Sequence, residues 1–213
     1  MRRAARLTAA LLLAFACVSG TRAAWIPAKA ALAQALLDDA WRRAQAGEDH
    51  PTPWPGSDAW PVARLRAPGH GGPLVVLSDA SGRSLAFGPG LLSGTAPPGA
   101  PGTTVLAGHR DTHFAFLREL RPGDPLELED RDGARHRYRV IETAVVHEHD
   151  ARAAAEGVRD RLALVTCWPF DALRPGTDLR FVVLAERIAP EAPARKATPA
   201  RADFRDAAPK RAS

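Results

Sequence analysis

The chain has 213 residues, 46% of them hydrophobic, with a formal net charge of +5 and two cysteines. That length holds one well-filled core of roughly 150 residues with tails, and the charge comes from dispersed arginines with no block of five or more like charges of the kind that marks a nucleic-acid arm. Cys17 falls in an N-terminal apolar run and Cys167 in the globular part, so no structural disulfide is expected and one lone thiol remains to be explained.

Three arginines, Arg2, Arg3 and Arg6, precede an uncharged run from Leu7 to Val18, which is followed by Ser19, Gly20, Thr21, Arg22, Ala23 and Ala24. This is the pattern of an export signal. The run is near the length of a signal-peptide core and shorter than the roughly 20 residues of a comfortable span, so cleavage after Ala23 and retention as a signal anchor both fit; we favour an anchor over 1–24. The arginine asymmetry predicts that the N-terminus stays inside and the rest of the chain faces outward. Ala14-Phe15-Ala16 before Cys17 makes a poor lipobox.

From Lys29 to Ala46 apolar residues recur at Leu32, Leu36, Leu37, Ala40 and Trp41, with charges on the other faces, and Gly47 follows as a stop. The spacing predicts an amphipathic helix that packs its stripe on the domain rather than in a membrane surface. Prolines 51, 53, 55, 61 and 68 with Trp54 and Trp60 then predict an extended segment anchored by its indoles, so that residues 25–72 form an N-terminal extension. Further along, short β-branched and leucine-rich runs alternate with Gly, Pro and Asp. The strands expected are Val62 to Leu65, Leu74 to Ser78, Ser84 to Phe87, Thr103 to Ala107, Pro125 to Glu129, Arg135 to Val146, Leu162 to Thr166 and Leu179 to Arg187. Turns are expected at Ala80-Ser81-Gly82 and at Asp130 to Gly133. Short helices or turns are expected from Thr112 to Leu120 and from Asp150 to Gly157. Many strands and few helices indicate an all-β barrel, placed over 73–189, with a disordered basic tail over 190–213.

Three strands carry residues with chemistry. Val105-Leu106-Ala107 runs into Gly108-His109, so His109 sits at a strand end. Leu162-Ala163-Leu164-Val165-Thr166 runs into Cys167-Trp168, and Pro169 stops the ladder. Arg180 interrupts the apolar strand Leu179 to Val183, where a charge needs a reason. A thiol that attacks a carbonyl must become a thiolate, needs a proton donor for its leaving group, and needs a positive group where the tetrahedral oxygen forms. Cys167, His109 and Arg180 supply these three types. The same residues also fit an inert core cysteine, a hydrogen-bonded structural histidine and an arginine paired with Asp178.

Thr166-Cys167 with its preceding Leu-Ala-Leu-Val resembles the TLxTC nucleophile motif of sortases. Ala107-Gly108-His109 resembles their histidine motif, about sixty residues earlier, and Arg180 follows the cysteine by thirteen residues, on the next strand, as the sortase arginine does. The blocks GHRDTHFAFL, LVTCWPFDALRPGTDLRFVVLAERI, KAALAQALLDDAW, WPVARL and SLAFGPG are most similar to the class GN sortases of Gram-negative proteobacteria. This likeness runs from about Ala28 to Ile188. The resemblance implies a sortase-type eight-stranded β-barrel with short helices. It implies transpeptidation in which Cys167 attacks the Thr carbonyl of an LPxTG-like C-terminal sorting signal, His109 handles the protons of leaving and incoming amines, and Arg180 steadies the oxyanion. The reactive form would pair a thiolate with an imidazolium. Thr166 and Trp168 would contribute substrate contacts, Trp168 standing where related sequences often have Tyr. The partners implied are an exported protein bearing the signal and an amine acceptor, with the chain a monomer at the inner membrane and its catalytic domain facing the periplasm. No cofactor is implied and no metal is expected. Arg174 is a second candidate for the oxyanion role, with Arg180 preferred, and Asp111 and His113 lie beside His109.

Other readings compete. His109-x-x-x-His113 and His147-x-His149 have metal-ligand spacing, but His109 follows an extended strand and no glutamate follows it as a metalloprotease helix requires. An envelope cysteine endopeptidase would use the same nucleophile with water as acceptor. The Ser-His-Gly-Cys signature of L,D-transpeptidases is absent around Cys167. A non-catalytic exported binding barrel would bury Cys167 as a small apolar residue.

Overall fold

The structure is a computed structural model that describes residues 29–150, 160–172 and 176–188. The expected anchor over 1–24, the tail over 190–213, Arg174, and all but the first residue of the Asp150 to Gly157 segment lie outside the described residues.

The apolar strands close into one barrel in the order β1-β2-β3-β4-β7-β8-β6-β5. These strands are β1 (Pro61–Arg66), β2 (Leu74–Leu77), β3 (Gly90–Leu91), β4 (Thr103–Ala107), β5 (Pro125–Asp130), β6 (Arg135–His147), β7 (Arg161–Trp168) and β8 (Leu179–Arg187). Closure leaves no unpaired sheet edge. Alternation decides which side chains fill the interior: Ala63, Leu65, Leu106, Leu126, Leu128, Tyr138, Val140, Leu162, Leu164, Val183 and Ala185 all lie in one buried cluster. Each fully buried leucine there contributes about 1.5–3 kcal/mol through loss of apolar surface to water.

Helical backbone over 29–45, here α1, lies outside the barrel. Its Leu37 and Trp41 pack with Ala59, Val75 and Leu77, with Trp54 and Phe87 at the margin of the same cluster. Leu32 is left 59% exposed, so the buried stripe is shifted one turn toward the C-terminal end, where Ala44 is also buried.

The segment expected as a strand from Ser84 to Phe87 is instead a helical turn, α2 (Gly82–Leu85). Ser81 caps it by accepting from the Ser84 amide, and the Ser84 hydroxyl donates to the Asp79 carboxylate at 3.0 Å. Local side-chain to backbone bonding wins over the weak apolar run. Ala80-Ser81-Gly82 is thus the start of a helix rather than a hairpin turn. The missing pairing is supplied by β3, whose Gly90 meets both Leu77 and Ala107. The barrel also takes its first strand from Pro61–Arg66, upstream of residue 73. The turn at Asp130 to Gly133 does join the antiparallel β5 and β6, with the Asp130 carboxylate accepting from the amides of Asp132 and Ala134 and Gly133 at a φ of 81°.

Candidate active site

β4 and β7 run parallel, with Val105 beside Ala163 and Ala107 beside Val165. Parallel neighbours end on the same side of the sheet, so the residues just beyond Ala107 and Val165 emerge together. Two bonds carry the pairing past the last ladder rung: the Gly108 amide donates to the Val165 carbonyl at 3.1 Å, and the Thr166 hydroxyl donates to the Gly108 carbonyl at 2.7 Å. His109 follows Gly108 and Cys167 follows Thr166, so both residues leave the same end of the β4–β7 pair.

Leu162 and Leu164 face the interior. Alternation therefore puts Ala163, Val165 and Cys167 on the outer face, and Val105 likewise. Across the other edge of β7, Cys167 is the direct antiparallel partner of Arg180 on β8. Opposite residues of an antiparallel pair project to the same side. Cys167 and Arg180 thus form one row on that face, and His109 follows the end of the neighbouring β4. Cys167 is a free thiol and half-buried, while His109 is exposed.

The Arg180 guanidinium is held by three acceptors. One terminal nitrogen donates to the Thr177 carbonyl and to the Leu179 carbonyl at 3.0 Å; the other donates to a carboxylate oxygen of Glu148 at 2.7 Å. Glu148 follows directly on β6, and its amide donates to the Asp178 carbonyl at 2.8 Å. The arginine's carboxylate partner is therefore Glu148 rather than Asp178.

The loop that carries His109 is fastened from beneath. Phe114 is fully buried, and its amide donates to the His109 carbonyl at 3.0 Å. A Cβ on residue 108 would meet the Phe114 ring at 2.7 Å, which is why glycine precedes the histidine. Arg110, next to His109, is 6% exposed. Its Nε donates to Asp111 at 3.1 Å, and one terminal nitrogen reaches the Ala172 carbonyl at 2.9 Å. Asp111 therefore engages Arg110, not His109. Beyond Cys167, the rings of Trp168, Phe170 and Phe181 pack at centroid distances of 5.3–5.7 Å, and Arg118 lies over Phe170 at 5.0 Å. His113 has its pKa lowered below the usual histidine value, chiefly by burial and then by the charge of neighbouring His109, against a hydrogen bond with the Phe87 backbone. It favours the neutral form beside a histidine that is open to water.

Of the residues singled out in the sequence, Cys167 and Arg180 share the row, and His109 lies just past the end of β4. Thr166 is 2% exposed and its hydroxyl holds the β4 and β7 ends together. Trp168 is half-buried in the aromatic cluster. Among the described residues no group of three or more His, Cys, Asp or Glu is placed to hold a metal ion. A cavity of about 410 Å³ bordered by Trp54, Asp79 and Phe87 lies on the α1 side and includes none of the row. Sequence reasoning passed over Arg110 and Glu148. Glu148 becomes a partner only through the pairing of β6 with β8.

The family profile described as Sortase domain matches residues 65–188, more than half of the chain. Sortase D of Bacillus subtilis (strain 168) is 31% identical over 117 residues, which cover 54% of this chain and 57% of that protein. Among solved structures, sortase A from Corynebacterium diphtheriae superposes with a TM-score of 0.56 at 24% identity, covering 64% of each chain. Sortase C-1 from Actinomyces oris superposes with a TM-score of 0.54 at 30% identity, covering 61% of this chain and 75% of that one. The match therefore spans less than two thirds of the B. subtilis and C. diphtheriae proteins.

Proposed function

The chain belongs to the sortase family, and on that premise we propose that it is a cysteine transpeptidase of the class GN kind, cleaving an LPxTG-like C-terminal sorting signal of an exported partner between Thr and Gly. One observation above all supports this reading: Cys167 is the cross-strand partner of Arg180, and His109 follows the end of β4, the parallel neighbour of the cysteine's strand.

The Cys167 thiolate attacks the threonine carbonyl carbon, and the oxygen that gains charge is stabilised by the Arg180 guanidinium. As the tetrahedral carbon collapses, the C–N bond breaks and the His109 imidazolium gives its proton to the departing glycine amine. A thioester to Cys167 remains. An incoming amine then attacks the same carbon and gives up a proton to His109, and the Cys167 thiolate leaves. Trp168, one residue past the nucleophile and half-buried, contributes an aromatic wall to the substrate; Thr166 acts through the Gly108 carbonyl that it holds. The N-terminal apolar run anchors the chain, as a monomer, in the inner membrane with the barrel in the periplasm.

The test incubates the full chain with an LPxTG-type peptide and an amine acceptor and follows products by mass spectrometry, with Cys167→Ala beside it. A Thr–amine adduct that depends on Cys167 supports the transpeptidase. Free acid alone would indicate an endopeptidase, and no cleavage across a panel of sorting signals, the partner's own included, would indicate a binding barrel.

A further inference from the structure

The geometry points to Arg110 as a positioning residue: we propose that its buried guanidinium sets the separation of His109 and Cys167 by tying the histidine loop to the segment that leaves the nucleophile strand. This rests on the transpeptidase reading for its consequence in turnover, though not for its geometry.

His109 and Cys167 sit on different strands, 58 residues apart in the chain, and each lies at or beyond the end of regular pairing. Up to Thr166 the two strands are locked by ladder bonds and by the Thr166 hydroxyl. Past that point, among the described residues, no further backbone hydrogen bond joins the two segments. Arg110 supplies a side-chain link instead. Its side chain is 7% exposed, whereas that of its acidic partner Asp111 is 71% exposed, so the ion pair is half in water while the other arm of the guanidinium is not. That arm ends on the carbonyl of Ala172, five residues beyond Cys167, in the turn where the Ala172 amide donates back to Pro169 at 3.4 Å.

A buried cation is costly unless its donors are met, and a planar fork with two fixed directions is the side chain that can grip two acceptors at once. Here the acceptors belong to the two segments whose spacing matters. Arg118 over Phe170 makes a second contact between the stretch after His109 and the stretch after Cys167. The contacts that bear on spacing are those of its Nε with Asp111 and of its terminal nitrogen with the Ala172 carbonyl. Its effect passes through His109 and through the turn after Cys167.

The full chain carrying Arg110→Met, which keeps length and loses the fork, is compared with Arg110→Lys, which keeps the charge and a single donor. Two readouts are taken: kcat and KM for a sorting peptide, and the pH profile of Cys167 alkylation by iodoacetamide. Loss of registration predicts a fall in kcat of at least about tenfold in Arg110→Met with KM changed less than about twofold, an altered alkylation profile, and partial recovery in Arg110→Lys. Should Arg110→Met not fold, Arg110→Lys alone must show the kcat loss and the altered profile. An alkylation profile and kcat equal to wild type would overturn the proposal. If wild type turns over no peptide, the transpeptidase reading fails separately, and the alkylation profile alone decides whether Arg110 governs the pair.

Discussion

Cys167 on β7 and Arg180 on β8 are cross-strand partners, so the thiol and the guanidinium start from backbones facing one another across one strand spacing and project to the same side of the sheet. That relationship makes the arginine's role separable from the thiol's reactivity. Arg180→Ala should lower kcat by about 10²–10³-fold, the usual loss when one preorganised oxyanion donor is removed. Cys167 should still be alkylated in this variant. A kcat within threefold of wild type would remove Arg180 from the reaction.

Glu148 holds Arg180 at 2.7 Å, with side chains 41% and 23% exposed respectively. A pair this wet contributes at most about 1 kcal/mol, and salt screens it. Glu148→Gln should therefore lower kcat by no more than about fivefold through looser orientation of the guanidinium, and the gap from wild type should narrow when ionic strength is raised. An equal gap at low and high salt would show that Glu148 acts by something other than its charge.

The Thr166 hydroxyl links β7 to the carbonyl just before His109. Thr166→Val keeps the shape and leaves that buried acceptor without this donor, which costs about 1–2 kcal/mol and lowers Tm by several degrees. Thr166→Ser keeps the bond and should recover most of the lost stability. Equal melting of the valine and serine variants would deny the tie.

His113 has its folded-state pKa depressed below the ordinary histidine value of 6.5 by burial and by His109. Its unfolded form binds the proton more readily, so the contribution to stability is fully present above about pH 6.5 and is lost as pH falls through the depressed folded value. Thermal melts from pH 7.5 down to 5 should show a steeper loss in wild type than in His113→Gln. Parallel curves would contradict the assignment.

Much of this architecture was legible in advance because the barrel strands are apolar on the interior face and bounded by Gly, Pro and Asp. Thr103–Ala107 and Leu179–Arg187 read at their observed limits. The Ser84 to Phe87 segment did not, because a serine cap and an Asp79 acceptor favour a helical turn in a stretch with only two large apolar residues, and the two-residue β3 is too short to leave a periodicity. For the site, strand ends carrying Gly108-His109 and Thr166-Cys167 were visible. Their juxtaposition required knowing that β4 and β7 are parallel neighbours although β5 and β6 come between them in the chain. Arg110 and Glu148 were hidden for a related reason: their partners, Ala172 and Arg180, lie 62 and 32 residues away.

The most direct measurement is the intact mass of the full chain after brief mixing with an LPxTG-type peptide and no amine acceptor. The account predicts an adduct equal to the peptide through its threonine, mapped to Cys167 by peptide digestion, lost on hydroxylamine treatment and absent from Cys167→Ala. A chain that cleaves the peptide with no adduct on Cys167, or whose Cys167→Ala variant cleaves as fast as wild type, would contradict it.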